Sequence, residues 1–280
     1  MTTLEMRRAA AREYYATCTA YADGLEHKSD TNYSYAVAFV SRYVAVPMAL
    51  LEIGCGTGRL AEIIATTTRC SITATNLSPH FIEVAGRNRT TNRVVYEEAD
   101  VTQLPYADGS FDVVYTYQAV EHFPDPMGGL REMARVTRPG GMILIITPNL
   151  LSPVAPLRLL ALCLLRRRGF SLSSRDGGKN VAWICVTEVG LRAIFLLRHT
   201  LSRGVLFFPR LEPDYTRPGH GDTDATWRCN TLDMRRFLSS LGCSFVEARG
   251  ARTRWLGLLA GSIHLAMRRT PAPAPPTGIP

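Results

Sequence analysis

Two stretches carry the residues best suited to chemistry: Glu52-Ile53-Gly54-Cys55-Gly56-Thr57-Gly58 and Val120-Glu121-His122-Phe123. In the first, an apolar run ends in a carboxylate, then in three glycines at alternate positions, before a stretch that reads as helix. A strand feeding a glycine turn and a helix N-terminus offers free backbone N–H groups to a ligand, and glycine lets that ligand come close. The spacing is G-x-G-x-G. A dinucleotide fingerprint needs its third glycine one residue later and a P-loop needs Gly-Lys-Ser/Thr, so neither is present and a dehydrogenase is disfavoured. In the second stretch His122 is the candidate general base, because an imidazole titrates near neutrality and can take a hydroxyl proton. The plain alternative is a histidine that caps the next helix or bonds locally. His220, followed by Asp222 and Asp224, is a further candidate base or acceptor-binding set. Two carboxylates do not complete a divalent-cation site, so no metal is expected. Cys55 has no visible partner base and reads as a small filler.

Alternating patterns supply the elements that would position these groups. Strands are expected at 49–53, 71–75, 93–99, 111–117 and 142–147. Helices are expected at 58–65, from Ser78-Pro79 to about 89, and from Asp125-Pro126 to 136, each pair supplying a cap and a first-turn proline. Pro139-Gly140-Gly141 would turn the chain into the fifth strand. Strands alternating with helices imply parallel βαβ units with right-handed crossovers. Upstream, residues 4–23 and 33–44 have helical spacing. From about 149 to 230 the rhythm breaks, and a helix at 231–241 and strands at 243–248 and 262–267 follow. The expected division is an N-terminal helical cap (1–46), a glycine-turn α/β core (47–149), an insertion (150–230), a closing helix and strand pair (231–270) and a Pro-rich disordered tail (271–280).

Composition bounds the reading. The chain has 280 residues, 46% of them hydrophobic, enough for a full core. Lys and Arg number 32 against 24 Asp and Glu, a formal charge of +8 that favours anionic partners without naming one. Seven scattered cysteines with no C-x-x-C suit reduced thiols in a cytosol. The first twelve residues lack an apolar h-region, so no signal peptide is expected. No run reaches the roughly 20 apolar residues of a spanning helix.

The order of motifs resembles the class I S-adenosylmethionine-dependent methyltransferases, in their small-molecule branch of quinone, lipid and natural-product enzymes. The resemblance rests on residues 52–58, Asn76-Leu77-Ser78-Pro79, Ala99-Asp100-Val101, Leu104-Pro105, 108–112, 120–126 and 130–141, with Arg131-Glu132-Met133-Ala134-Arg135-Val136 and Arg138-Pro139-Gly140-Gly141 especially close to the usual form. It covers a little over a third of the chain. It implies an α/β fold, a Rossmann-like seven-stranded, mostly parallel sheet with a reversed last strand, helices on both faces and a helical or loop lid. It also implies S-adenosylmethionine as methyl donor. The Gly54-Cys55-Gly56 turn would reach the methionine part, Glu52 would support its ammonium, and Thr57 and Gly58 complete that turn. Asn76, with Leu77, stands where the family usually has Asp or Glu gripping the ribose; an amide can accept from one hydroxyl and donate to the other. Asp100 would accept from the adenine amino group and Val101 would stack beside the ring. Tyr117 and Gln118 would flank the sulfonium and the acceptor mouth.

The acceptor implied is a small molecule, most simply an oxygen nucleophile of a secondary metabolite, lipid, quinone or sugar. Methylation at nitrogen or carbon, and a non-catalytic binding protein of the same fold, remain alternatives. The insertion is apolar and basic over 150–205. It would either touch an anionic membrane peripherally or pack its apolar side on the core with solvated arginines. No nucleic-acid partner is expected, since aromatic and basic residues are not interleaved. The setting expected is cytoplasmic, with or without a peripheral membrane contact, and the oligomeric state is not legible.

Overall fold

The computed structural model describes residues 2–17, 30, 33–149, 152, 189–191, 193–194, 197–198, 201, 208–209, 227–249 and 262–271. His220, Asp222 and Asp224, most of the expected lid and nearly all of the Pro-rich tail lie outside the described residues.

The strands are β1 (Ala49–Ile53), β2 (Ser71–Asn76), β3 (Val94–Glu98), β4 (Phe111–Tyr117), β5 (Thr137–Pro148), β6 (Phe208–Pro209), β7 (Trp227–Arg228), β8 (Cys243–Arg249) and β9 (Ser262–Arg269). The helices are α1 (Thr3–Thr17), α2 (Ser34–Ser41), α3 (Arg59–Thr68), α4 (Pro79–Arg87), α5 (Pro126–Val136) and α6 (Thr231–Ser240). Seven strands form one sheet in the order β3-β2-β1-β4-β5-β9-β8, while β6 and β7 pair separately. β1 to β5 pair in parallel, and β9 runs antiparallel to both its neighbours. The expected Rossmann-like sheet with a reversed last strand is therefore present.

Side chains alternate across the sheet with the two-residue period of a strand. Leu50 packs with Phe39 and Val40 of α2 and Leu60 and Ile64 of α3, whereas Leu51 packs with Leu130 and Met133 of α5 and Met234 and Phe237 of α6. Both leucines are fully buried, each worth roughly 1.5–3 kcal/mol relative to exposure. Burial on both faces explains why the central strands read as continuous apolar runs.

Local chemistry sets most element ends as expected. The Asp125 side chain accepts from Met127 N ahead of Pro126; at α6 the cap is Asn230, which accepts from Asp233 N and which the sequence reading did not single out. Ser78 differs. It occupies the N-cap position of α4, but its hydroxyl donates to Tyr15 O of α1 at 2.9 Å instead of capping. The start of β5 differs too. Phe111 pairs with Thr137 and Val113 with Met142, so Arg138-Pro139-Gly140-Gly141 forms an irregularity inside the strand, not a turn before it. Gly141 permits it, because an added Cβ would lie 2.7 Å from Asp112 O. Among the described residues no helix is long and apolar enough to cross a membrane.

Candidate cofactor and acceptor site

The parallel strands end around a cleft. It sits where β1 and β4 lie side by side and the strand order reverses, the place where open α/β sheets take ligands. Its wall includes Glu52, Gly54, Cys55, Gly56 and Thr57 after β1, Asn76 and Leu77 after β2, Asp100 and Val101 after β3, and Tyr117, Gln118 and His122 after β4. Residues far apart in sequence are thus brought together on one cavity.

The glycine turn is built by backbone conformation. Gly54, Gly56 and Gly58 have φ of 75°, 53° and 81°, values that side chains disfavour. The amides of Gly54 and Cys55 both donate to Thr75 O, at 2.8 and 2.9 Å, which ties the turn to β2. At Gly54 an added Cβ would lie 2.5 Å from Ala119 Cβ. Gly58 does not line the cavity; it starts α3, and its open side is filled by Tyr96, whose hydroxyl would meet a Cβ at 2.5 Å.

Glu52 is no solvated strand end. It is 2% exposed, and Tyr115 Oη donates to its Oε2 at 3.1 Å. Burial pushes its carboxyl up to about 8, with the Tyr115 bond opposing. A buried carboxyl in a cavity wall is a natural partner for a cation, which would restore its charged form. Burial also raises the Cys55 thiol well above its ordinary value, which fits a filler and not a nucleophile.

Asp100 is held on both oxygens. Oδ1 accepts from Thr102 N at 2.8 Å and Thr102 Oγ1 at 2.6 Å, and Oδ2 lies 3.3 Å from Arg8 Nε of α1. Asn76 Oδ1 accepts from Ser78 N at 3.0 Å, which fixes the amide at the end of β2. Tyr117 meets Tyr35 hydroxyl to hydroxyl at 3.0 Å, and burial raises its phenol above the ordinary range. Gln118 has φ of 50°, an uncommon conformation for a residue with a side chain, and its N–H bonds Ile146 O. His122 ends a short 3-10 turn, with Nε2 3.8 Å from Glu121 Oε1. Glu121 is buried and accepts from Thr147 Oγ1 at 2.6 Å.

The wall also holds Tyr15, Tyr33, Arg59, Phe81 and Phe123, none of which the sequence reading assigned to the site. Arg59 is engaged by Asp30 through two bonds of 2.7 and 2.6 Å. The described residues contain no cluster of three or more groups that could hold a metal. The arrangement offers a carboxylate for a cation, a fixed acceptor for an amino group, an aromatic wall and an imidazole.

Comparison with known proteins agrees with this geometry. Residues 51–145 match the family described as Methyltransferase domain. Over 98 residues the chain is 41% identical to the 27-O-demethylrifamycin SV methyltransferase of Amycolatopsis mediterranei, covering 34% of this chain and 36% of that protein. Over 100 residues it is 39% identical to the ubiquinone/menaquinone biosynthesis C-methyltransferase UbiE of Bdellovibrio bacteriovorus, covering 35% and 43%. The match thus spans less than half the length of these relatives. The structure of an S-adenosylmethionine-dependent methyltransferase from Mesorhizobium loti superposes with a TM-score of 0.55 at 15% identity, covering 88% of this chain and all of that one. Residues 51–145 of this chain thus match a methyltransferase-domain family and are set in a seven-stranded Rossmann-like sheet.

Proposed function

We propose that the chain transfers a methyl group from S-adenosylmethionine to an oxygen of a small-molecule acceptor, an activity of the EC 2.1.1 class. One observation carries the reading: a buried carboxyl, Glu52, shares a cavity wall with the glycine turn, Asp100 and His122. The donor fits the residues present. Glu52 and the 54–57 backbone would hold its cationic amino-acid end, Asn76 its ribose, and Asp100 and Val101 its adenine. Bound there, it supplies an electrophilic methyl group.

The chain's own part is placement and proton handling. Alignment of two reactants in one cleft is worth up to about 7–11 kcal/mol of barrier in well-oriented systems. Tyr33, Tyr117 and Phe123 exclude water from a reaction in which charge is dispersed and not created. His122 takes the acceptor proton, and Glu121 stands beside its ring to favour the imidazolium that forms. The reduced thiols of Cys55, Cys70, Cys229 and Cys243 support a cytoplasmic setting. Leu191, Ile194, Leu197 and Leu201, all more than 45% exposed and interspersed with Arg198, support a peripheral contact with an anionic membrane.

Calorimetric titration with S-adenosylmethionine and S-adenosylhomocysteine tests the donor, and mass spectrometry of hydroxylated polyketide and quinone acceptors tests transfer. Saturable binding of both ligands and a product heavier by one methylene support the reading; nuclear magnetic resonance of the product separates oxygen from carbon methylation. Binding of neither ligand would sink it.

A further inference from the structure

We infer that Arg8 is a specificity-determining positioning residue: from helix α1 it holds Asp100 so that the cleft accepts a 6-amino purine and rejects a 6-oxo one. The inference rests on the proposed donor and goes beyond it. A carboxylate has about four acceptor positions. In Asp100, Thr102 occupies two on Oδ1 through its amide and its hydroxyl. Arg8 Nε stands against Oδ2 at 3.3 Å, and Arg8 Nη2 donates to the same Thr102 hydroxyl. The guanidinium, the threonine and the carboxylate therefore form a connected set: Thr102 fills Oδ1, while Oδ2 faces Arg8 as an ion pair without a hydrogen bond and keeps room for a further donor. The Asp100 side chain is 19% exposed and borders the cleft, so that donor must come from the cavity.

A 6-amino group supplies a donor. A 6-oxo group supplies a second acceptor, which faces a carboxylate and is repelled. Without Arg8 the carboxylate loses its positive neighbour and the Thr102 hydroxyl loses a second partner, so Thr102 alone restrains Asp100 and the free Oδ2 can turn away from a 6-oxo ring. Helix α1 is well seated to do this. Arg12 pairs with Glu98 at 3.5 Å, the Tyr15 carbonyl takes the Ser78 hydroxyl, and the Arg7 guanidinium lies 5.2 Å from the centre of the Trp227 ring. The docked helix thereby becomes a wall of the nucleotide end of the cleft, through a residue more than ninety positions from its partner.

The test is calorimetric titration of the full chain with S-adenosylhomocysteine and with its 6-oxo analogue, S-inosylhomocysteine. Wild type should prefer the amino ligand by about 10–100-fold, the size of a hydrogen bond to a charged group. Arg8→Gln should cut that preference to less than about threefold, mainly by weakening the amino ligand. Arg12→Gln, on the same helix but away from Asp100, should keep the wild-type preference and so reports on helix docking alone. Equal loss of both ligands in Arg8→Gln, with the preference intact, would overturn this inference and leave the methyltransferase reading standing. Failure of the wild-type chain to bind either ligand would overturn both.

Discussion

Glu52→Gln removes a titratable carboxyl from the cleft while keeping its shape. In the protein alone, burial raises the Glu52 carboxyl from 4.5 to about 8. At about 1.4 kcal/mol for each tenfold change in proton affinity, that rise disfavours the charged form by roughly 5 kcal/mol. A cationic amino group bound beside Glu52 reverses the balance. Binding of S-adenosylhomocysteine at about pH 6.5 should therefore release about one proton, visible as a titration enthalpy that depends on the ionisation enthalpy of the buffer. Glu52→Gln should release none and should bind about 10–100-fold more weakly near pH 8.5. Stability should move the other way. A carboxyl raised in the folded state contributes stability that is full below its unfolded value of 4.5 and is lost as pH rises through about 8. The melting temperature of Glu52→Gln should thus gain on wild type as pH rises across that window. Wild-type binding with no proton released near pH 6.5, together with unchanged affinity in Glu52→Gln, would refute the placement of a cation beside Glu52.

Other substitutions separate chemistry from structure. His122→Asn should lower kcat by about 10²–10⁴-fold while leaving the Kd for S-adenosylhomocysteine unchanged; equal kcat would show that His122 is not the base. Glu62 is buried and accepts from Thr90 N, Thr90 Oγ1, Thr91 N and Tyr96 Oη. Glu62→Ala strands those donors and should cost about 3 kcal/mol or more in urea denaturation. Gly54→Ala forces a side chain into a left-handed backbone against Ala119, so it should lose about 1–3 kcal/mol and most ligand affinity. His264 is buried, and burial lowers its imidazole to about 4. Its contribution is therefore present above the unfolded value of 6.5 and is lost as pH falls through about 4, so His264→Gln should flatten the acid limb of the stability curve.

What sequence reading reached, and what it missed, follows the range of the interactions. The strand cores at 49–53 and 111–117 and the capped start of the helix at 126 depend on neighbours in sequence, so pattern and cap chemistry reveal them. The glycine turn, Asn76, Asp100 and Tyr117 are legible for a related reason, since each follows its strand directly and parallel strands end on one side. Tyr15, Phe81 and Arg8 are different. Their roles come from the docking of α1 on α4 and on the 100–102 turn, a contact between remote segments that leaves no periodic signal. Ser78 illustrates the same limit: Ser-Pro marks the start of a helix, yet the hydroxyl is claimed by a carbonyl more than sixty residues away. The irregularity at 138–141 was misplaced as a turn because Pro-Gly-Gly breaks strands locally, while pairing with β4 on either side continues the ladder.

The insertion of β9 between β5 and β8 has a consequence for the way the chain is made. On the ribosome, β1 to β5 can pair as they emerge, but the far side of β5 gains its partner only when residues 262–269 arrive. Until then a long strand with an apolar Met142–Ile146 core presents an open ladder of backbone groups, the kind of edge that recruits other chains. The nascent protein must therefore pass through a stage in which most of its sheet is formed and one border is adhesive. Slow translation or poor chaperoning between β5 and β9 would be felt first as aggregation, before any loss of the cleft itself.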